Sequence, residues 1–193
     1  MVLQKVVTFD LASTSLKDLP YLEAAFDKGY DKDLDENKKI RLHISRHPTV
    51  FRRLLIYNAR AQGCSGAHVQ RIVSMYGLEL FKKQHSDLIK QLHEADIWNV
   101  DPKLLNFVEF TIQYQPQTPT AEKSLWLQSL DYVASEIEDL ANILGVSKSY
   151  LTVIILCSAF ITGNIPQNVK DELSKELKLF NTYLEMKKQE IED

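Results

Sequence analysis

Six residues, from Ile40 to Ser45, alternate strictly between apolar and polar side chains. A period of two is typical of a β-strand with one buried face and one exposed face. The alternation predicts three inward and three outward side chains: Ile40, Leu42 and Ile44 inward, and Arg41, His43 and Ser45 outward. One face of this segment is therefore expected to be open to solvent.

The pattern changes to a helical period after Pro48. Apolar residues then recur at helical spacing, at Val50, Leu54, Tyr57 and Ala61. This spacing is the stripe of an amphipathic helix, with Pro48 near its first turn and Gly63 just past its end. Ser65 is the predicted N-cap of a second helix. The inner face of that second helix is expected to consist of Val69, Ile72, Val73 and Tyr76.

The same succession of patterns returns later in the chain. A second short alternation places Leu125 and Leu127 inward, in correspondence with Leu42 and Ile44. The helical stripe keeps the same offset, at Val133, Ile137, Leu140 and Leu144. From Gly145 onward, where Ser147 corresponds to Ser65, the offset is shorter by one, because a single residue is missing near the turn. The chain is thus predicted to contain two copies of one strand-helix-helix unit.

A strand, a helix, a glycine turn and a capped second helix resemble the ribbon-helix-helix family of DNA-binding proteins. In that family two strands from two subunits pair antiparallel and enter the major groove of DNA. The resemblance implies that the two copies here pair within one chain. We therefore expect a mainly α-helical protein in which two ribbon-helix-helix-like units form an intramolecular pseudo-dimer around a two-stranded antiparallel ribbon, with extra helices.

The resemblance also implies which residues contact DNA. The outward strand residues would face the bases: Arg41, His43, Ser45, Ser124, Trp126 and Gln128. Arginine suits guanine, glutamine suits adenine and serine suits either, whereas Trp126 departs from this set and either stacks, covers a partner or belongs to the core. The starts of the two second helices would contact phosphates through backbone N–H groups: Cys64, Ser65 and Gly66, and Ser147, Lys148 and Ser149. Ser65 and Ser147 are equally explained as plain N-caps.

The distribution of charge is uneven. The net charge of −3 is unusual for a nucleic-acid binder, which normally carries a basic footprint. However, the segment from Lys38 to Arg71 contains eight Lys or Arg residues and no Asp or Glu. A basic module is thus embedded in an acidic chain.

Other functional classes find little support in the sequence. Two cysteines offer no disulfide framework, and the longest apolar run is shorter than the roughly 20 residues that a membrane span requires. There is no phosphate loop, dinucleotide fingerprint, nucleophile elbow or zinc-protease motif. We therefore expect a cytoplasmic protein without catalytic residues, metal or cofactor and without membrane association.

The remaining segments complete the predicted organisation. They include a short strand at Val6–Leu11, a helix start at Ser13–Ser15, a buried helix after Asp101-Pro102 and a linker at 115–120. The chain is divided into an N-terminal arm (1–37), a first repeat (38–81), a helical connector and linker (82–122), a second repeat (123–163) and a C-terminal helix (164–193). That last helix either packs on its own chain or forms a homodimer contact.

The predicted function is sequence-specific binding of double-stranded DNA, as a transcriptional regulator or a plasmid or viral accessory protein. The alternative is a protein-interaction module on a degenerate copy of the same fold. A helical bundle without a ribbon would follow if 40–45 and 124–128 were helical.

Overall fold

The computed structural model describes residues 22–28, 30, 39–94, 124–165 and 167–193. The described part is mainly helical with one two-stranded antiparallel sheet. Its elements, in chain order, are α1 (Glu23–Asp27), β1 (Lys39–Ile44), α2 (Pro48–Gln62), α3 (Gly66–Gln84), α4 (Ser86–Glu94), β2 (Leu125–Leu130), α5 (Asp131–Leu144), α6 (Lys148–Ile161) and α7 (Gln167–Glu192). The predictions for Val6–Leu11, Ser13–Ser15, the helix after Asp101 and the linker 115–120 lie outside the described residues.

The two predicted strands pair with each other. Leu42 lies opposite Leu127 and Ile44 lies opposite Leu125 in the antiparallel register. All four side chains are buried, as the alternation predicted. Their burial removes both apolar strand faces from water, which neither short strand could achieve alone. The helical-bundle alternative without a ribbon is therefore wrong.

The same kind of turn connects α2 to α3 and α5 to α6. Gly63, directly after α2, has φ 63°, and Gly145, directly after α5, has φ 69°. Glycine adopts this left-handed conformation without the steric penalty that other residues meet. Ser65 then accepts a hydrogen bond from the His68 backbone N–H, and Ser147 accepts one from that of Tyr150. Both predicted N-caps are confirmed.

Helices α3 and α6 form the centre of the core. Every residue from Tyr150 to Phe160 is buried in α6, which explains why this stretch is apolar except at Thr152 and Ser158. The backbones approach closely at Gly77, where an added Cβ would lie 2.6 Å from the carbonyl oxygen of Ile155. Helix α7 packs against α6, so the C-terminal helix does pack on its own chain.

Replacing Gly77 with alanine tests this packing. The added methyl group would clash with backbone, which cannot rotate away, so we expect a loss of about 1–3 kcal/mol in the free energy of unfolding. Gly66→Ala is the matched control, because a Cβ there meets nothing within 4 Å. It should be neutral or stabilising by up to about 1 kcal/mol. Urea unfolding curves of both variants measure the difference, and equal midpoints would contradict the close approach.

Candidate nucleic-acid interface

The outward side of the two-stranded sheet carries four of the six predicted base-facing residues. Arg41 lies opposite Gln128, and His43 lies opposite Trp126. Arg41 is exposed, while His43 and Gln128 are half-buried. We refer to these four residues, Arg41, His43, Trp126 and Gln128, as the ribbon face. The predicted clustering of these side chains on one surface is therefore present.

Trp126 lies opposite His43 on the ribbon face and is 56% exposed. Its ring centroid is 4.8 Å from that of His43, with the two planes tilted by 53°. An exposed indole does not belong to the core, so that explanation of Trp126 is excluded. The remaining explanations, stacking and covering a partner, both need an exposed ring.

Ser45 and Ser124 lie just beyond the paired ladder, which runs from Lys39–Leu130 to Ile44–Leu125. Ser45 is exposed and Ser124 is half-buried. The alternation predicts both as strand residues. The strands instead stop at Ile44 and Leu125 on this side, and they continue at the opposite end of the ladder to Lys39 and Leu130. The sheet therefore has a strongly polar end, toward Arg41 and Gln128, and a serine end, beyond Ile44 and Leu125.

Helix α3 covers the outer edge of β2, a contact that the sequence pattern does not indicate. The side-chain oxygen of Gln70 accepts a 2.7 Å hydrogen bond from the Gln128 backbone N–H. Arg71 Nη1 donates to Gln128 Oε1 at 3.1 Å, and Arg71 is only 9% exposed. Ser74 and Ser129 hydroxyls are 3.1 Å apart in the same contact. The only nearby sequence feature that could have indicated this contact is Arg71, a charged residue within an apolar helical stripe.

The predicted phosphate contacts occupy the N-termini of α3 and α6. Ser65 and Gly66 are exposed at the start of α3, and Cys64 is half-buried beside them. Free backbone N–H groups and the helix dipole favour an anion at such a place. This terminus is therefore accessible to a phosphate group, and the capping role of Ser65 does not prevent it.

The N-terminus of α6 has a different electrostatic environment. Lys148 Nζ forms a 2.8 Å ion pair with Glu138 Oε2, and Ser147 is exposed while Ser149 is half-buried. The hydrogen bond from Lys148 holds the pKa of Glu138 below its usual range. Because both side chains are substantially exposed, the pair is weak and can exchange with another anion. Lys148 is thus available to a phosphate only in competition with Glu138.

Arg46 belongs to the basic segment of the sequence, yet it is buried. Its Nη2 lies 2.7 Å from Glu176 Oε1 of α7, and the two side chains are 6% and 7% exposed. His47 Nε2 is 3.0 Å from the same oxygen, and the Arg46 guanidinium lies over the Tyr150 ring at 5.4 Å. This cluster fixes the corner between β1 and α2 to the C-terminal helix. Arg46 therefore contributes to stability and not to the exposed charge.

Removing one partner of this ion pair should be strongly destabilising. Glu176→Ala leaves the Arg46 charge buried without compensation, for which we expect a loss of about 3–5 kcal/mol in the free energy of unfolding. The double variant Arg46→Met with Glu176→Leu contains neither charge and should recover most of that loss. Urea unfolding measures both variants. If Glu176→Ala unfolds at the same urea concentration as the unmodified chain, the pair does not hold the corner together.

Other kinds of site find no support in the described residues. No group of three His, Cys, Asp or Glu side chains there is arranged to hold a metal ion. Within the same ranges no single helix is long and apolar enough to cross a membrane, and α5 with α6 satisfies those criteria only as a pair bent by 108°.

Comparison of the chain with family models, with curated proteins and with solved structures gave no match.

Proposed function

We propose that this protein binds double-stranded DNA in a sequence-specific manner, with the ribbon face in the major groove. The observation that supports this proposal most directly is the strand register. His43 and Trp126 are equivalent positions in the two sequence copies, and they lie opposite each other in the sheet. A pairing between equivalent positions is expected where a two-fold axis relates two copies of a strand-helix-helix unit.

The positions of the helices support the same two-fold relation. Helices α2 and α5 begin at Pro48 and Asp131, which are separated by the same interval as His43 and Trp126. Helices α3 and α6 begin at Gly66 and Lys148, and this interval is shorter by one. The offset therefore shortens between the first and second helix of each copy, as the sequence repeat does. These bounds favour two ribbon-helix-helix-like units that pair within one chain.

The chemistry of the exposed residues suits DNA. A two-stranded ribbon fits the major groove, which is about 12 Å wide, and arginine and glutamine are side chains that recognise base edges there. Helix N-termini that flank a ribbon can contact the phosphates on either side. The exposed N-terminus of α3 and the exposed guanidinium of Arg41 provide one contact of each kind.

The charges of the two copies differ, which indicates where binding would be strongest. The second copy contains a single basic residue, Lys148, between positions 124 and 163, together with four acidic residues of α5. The first copy is strongly basic over the corresponding segment. Electrostatic attraction to phosphates would therefore come mainly from the first copy.

A regulator of transcription, or an accessory protein of a plasmid or virus, is the biological role that fits such binding.

Replacing Arg41 with alanine tests the proposal. We expect the unmodified chain to enrich a short motif from a random duplex pool, with an affinity that falls as salt rises. Arg41→Ala should weaken binding to that motif by about tenfold or more, because an arginine–guanine contact is lost. Fluorescence anisotropy at two salt concentrations measures both effects.

Arg60→Ala is the matched control for that experiment. It removes the same charge from the same basic segment, but Arg60 is exposed in the last turn of α2 and is not one of the four ribbon-face residues. It should change the affinity by less than about threefold. Equal losses in the two variants would show a general charge effect and not base recognition. No binding at low salt would overturn the proposal.

Binding of a protein partner is the second candidate function, and the exposure of Trp126 favours this function. Tryptophan is enriched among the residues that dominate protein–protein binding. Under this alternative, Arg41→Glu leaves function intact and Trp126→Ala abolishes it. Under the DNA proposal, Arg41→Glu abolishes binding because it places a carboxylate against the phosphates and bases.

A further inference from the structure

From the contact between α3 and β2, we infer that Arg71 orients the Gln128 amide so that the polar end of the ribbon selects guanine. This inference rests on the proposed function, because it concerns what the ribbon face recognises in DNA. It assigns a positioning role to Arg71 and a base preference to Gln128. Neither follows from the strand pattern, which treats glutamine as a residue suited to adenine.

The Gln128 side chain is held in one direction. Its Oε1 accepts a hydrogen bond from Arg71 Nη1 at 3.1 Å. Arg71 is buried beneath the edge of β2, so the amide oxygen is turned toward the helix and away from the open surface. The backbone N–H of Gln128 is held at the same time by Gln70 Oε1 at 2.7 Å. Two neighbouring residues of one helix thus fix both the backbone and the side chain of Gln128.

The amide nitrogen of Gln128 is the group that remains for a ligand. With Oε1 directed to Arg71, the amide presents its Nε2, which carries two hydrogens and can only donate. Recognition of adenine by glutamine requires an acceptor for the N6 amino group as well as a donor for N7. Guanine instead offers two acceptors, N7 and O6. A glutamine that presents only donors therefore favours guanine.

The cross-strand neighbour of Gln128 has the same hydrogen-bonding character. Arg41 lies directly opposite Gln128 in the register, and its guanidinium is also a donor without acceptor capacity. The two side chains together form a surface that only donates hydrogen bonds. Arg71 adds a positive charge behind this surface, and its Nε has no hydrogen-bond partner among the described residues. Bases rich in acceptors at their major-groove edge are the matching ligand.

The serine end of the ribbon has no comparable support within the described part of the chain. Thr152 and Val153 of α6 are the positions equivalent to Gln70 and Arg71 of α3 in the second copy. Val153 is apolar, and the Thr152 hydroxyl donates to the carbonyl of Lys148 in its own helix. The two halves of the ribbon therefore differ in chemistry. The recognised sequence is expected to be non-palindromic, with its strongest preferences at the guanine-selecting end.

Selection from a random duplex pool followed by sequencing tests the inference. Gln128→Ala first identifies the base pair that Gln128 contacts, as the position at which sequence preference disappears. In the unmodified chain that position should be guanine, preferred over adenine by about tenfold. Adenine at that position would overturn the inference, and so would a motif that Gln128→Ala leaves unchanged. Neither result depends on the stability of an Arg71 variant.

The role of Arg71 is tested by Arg71→Met, which keeps the buried stem and removes the donors. This variant should admit adenine at the position of Gln128, with the salt dependence and the other positions of the motif unchanged. Arg60→Met is the matched control and should leave every preference intact. A uniform loss of affinity for all sequences in Arg71→Met would overturn the positioning role. If Arg71→Met does not fold, the guanine preference of the unmodified chain remains the deciding result.

A failure of the inference can be distinguished from a failure of the proposed function. An enriched motif with adenine at the Gln128 position, or with two equal halves, contradicts the inference and leaves DNA binding in place. A pool from which the unmodified chain enriches nothing contradicts both.

Discussion

The pairing of β1 with β2 is the interaction on which the rest of this structure depends. The strands come from segments that are far apart in the chain, and each has an apolar face that it cannot bury alone. Once paired, their buried leucine and isoleucine side chains form the layer against which α3 and α6 pack. The same pairing brings Arg41 beside Gln128 and His43 beside Trp126. The same strand pairing therefore both forms the core and assembles the ribbon face.

Local chemistry made much of the fold predictable from the sequence. The alternation around Leu42, the left-handed turns at Gly63 and Gly145, and the caps at Ser65 and Ser147 depend on residues close together in the chain. Each of these features lies where the sequence pattern placed it. The C-terminal helix, Gln167–Glu192, also lies within the predicted segment 164–193.

Features that depend on distant residues were not predictable in this way. The burial of Arg46 requires Glu176, 130 residues away, and nothing near Arg46 in the sequence indicates it. The contact of Arg71 with Gln128 depends on how α3 lies along the edge of β2, which periodicity does not define. The break between α3, which ends at Gln84, and α4, which begins at Ser86, is not indicated by the sequence either, because the helical pattern continues through it. Four of the six predicted base-facing residues form one surface, while Ser45 and Ser124 lie beyond the ladder.

The fluorescence of Trp126 tests directly whether the ribbon face contacts DNA. In a Trp98→Phe variant Trp126 is the remaining tryptophan, so its fluorescence reports on the ribbon face alone. Acrylamide quenching of this fluorescence should fall when the selected duplex is added, with the same midpoint as the anisotropy titration. Binding seen by anisotropy while Trp126 stays equally accessible to acrylamide would show that DNA binds elsewhere on the protein and not at the ribbon face.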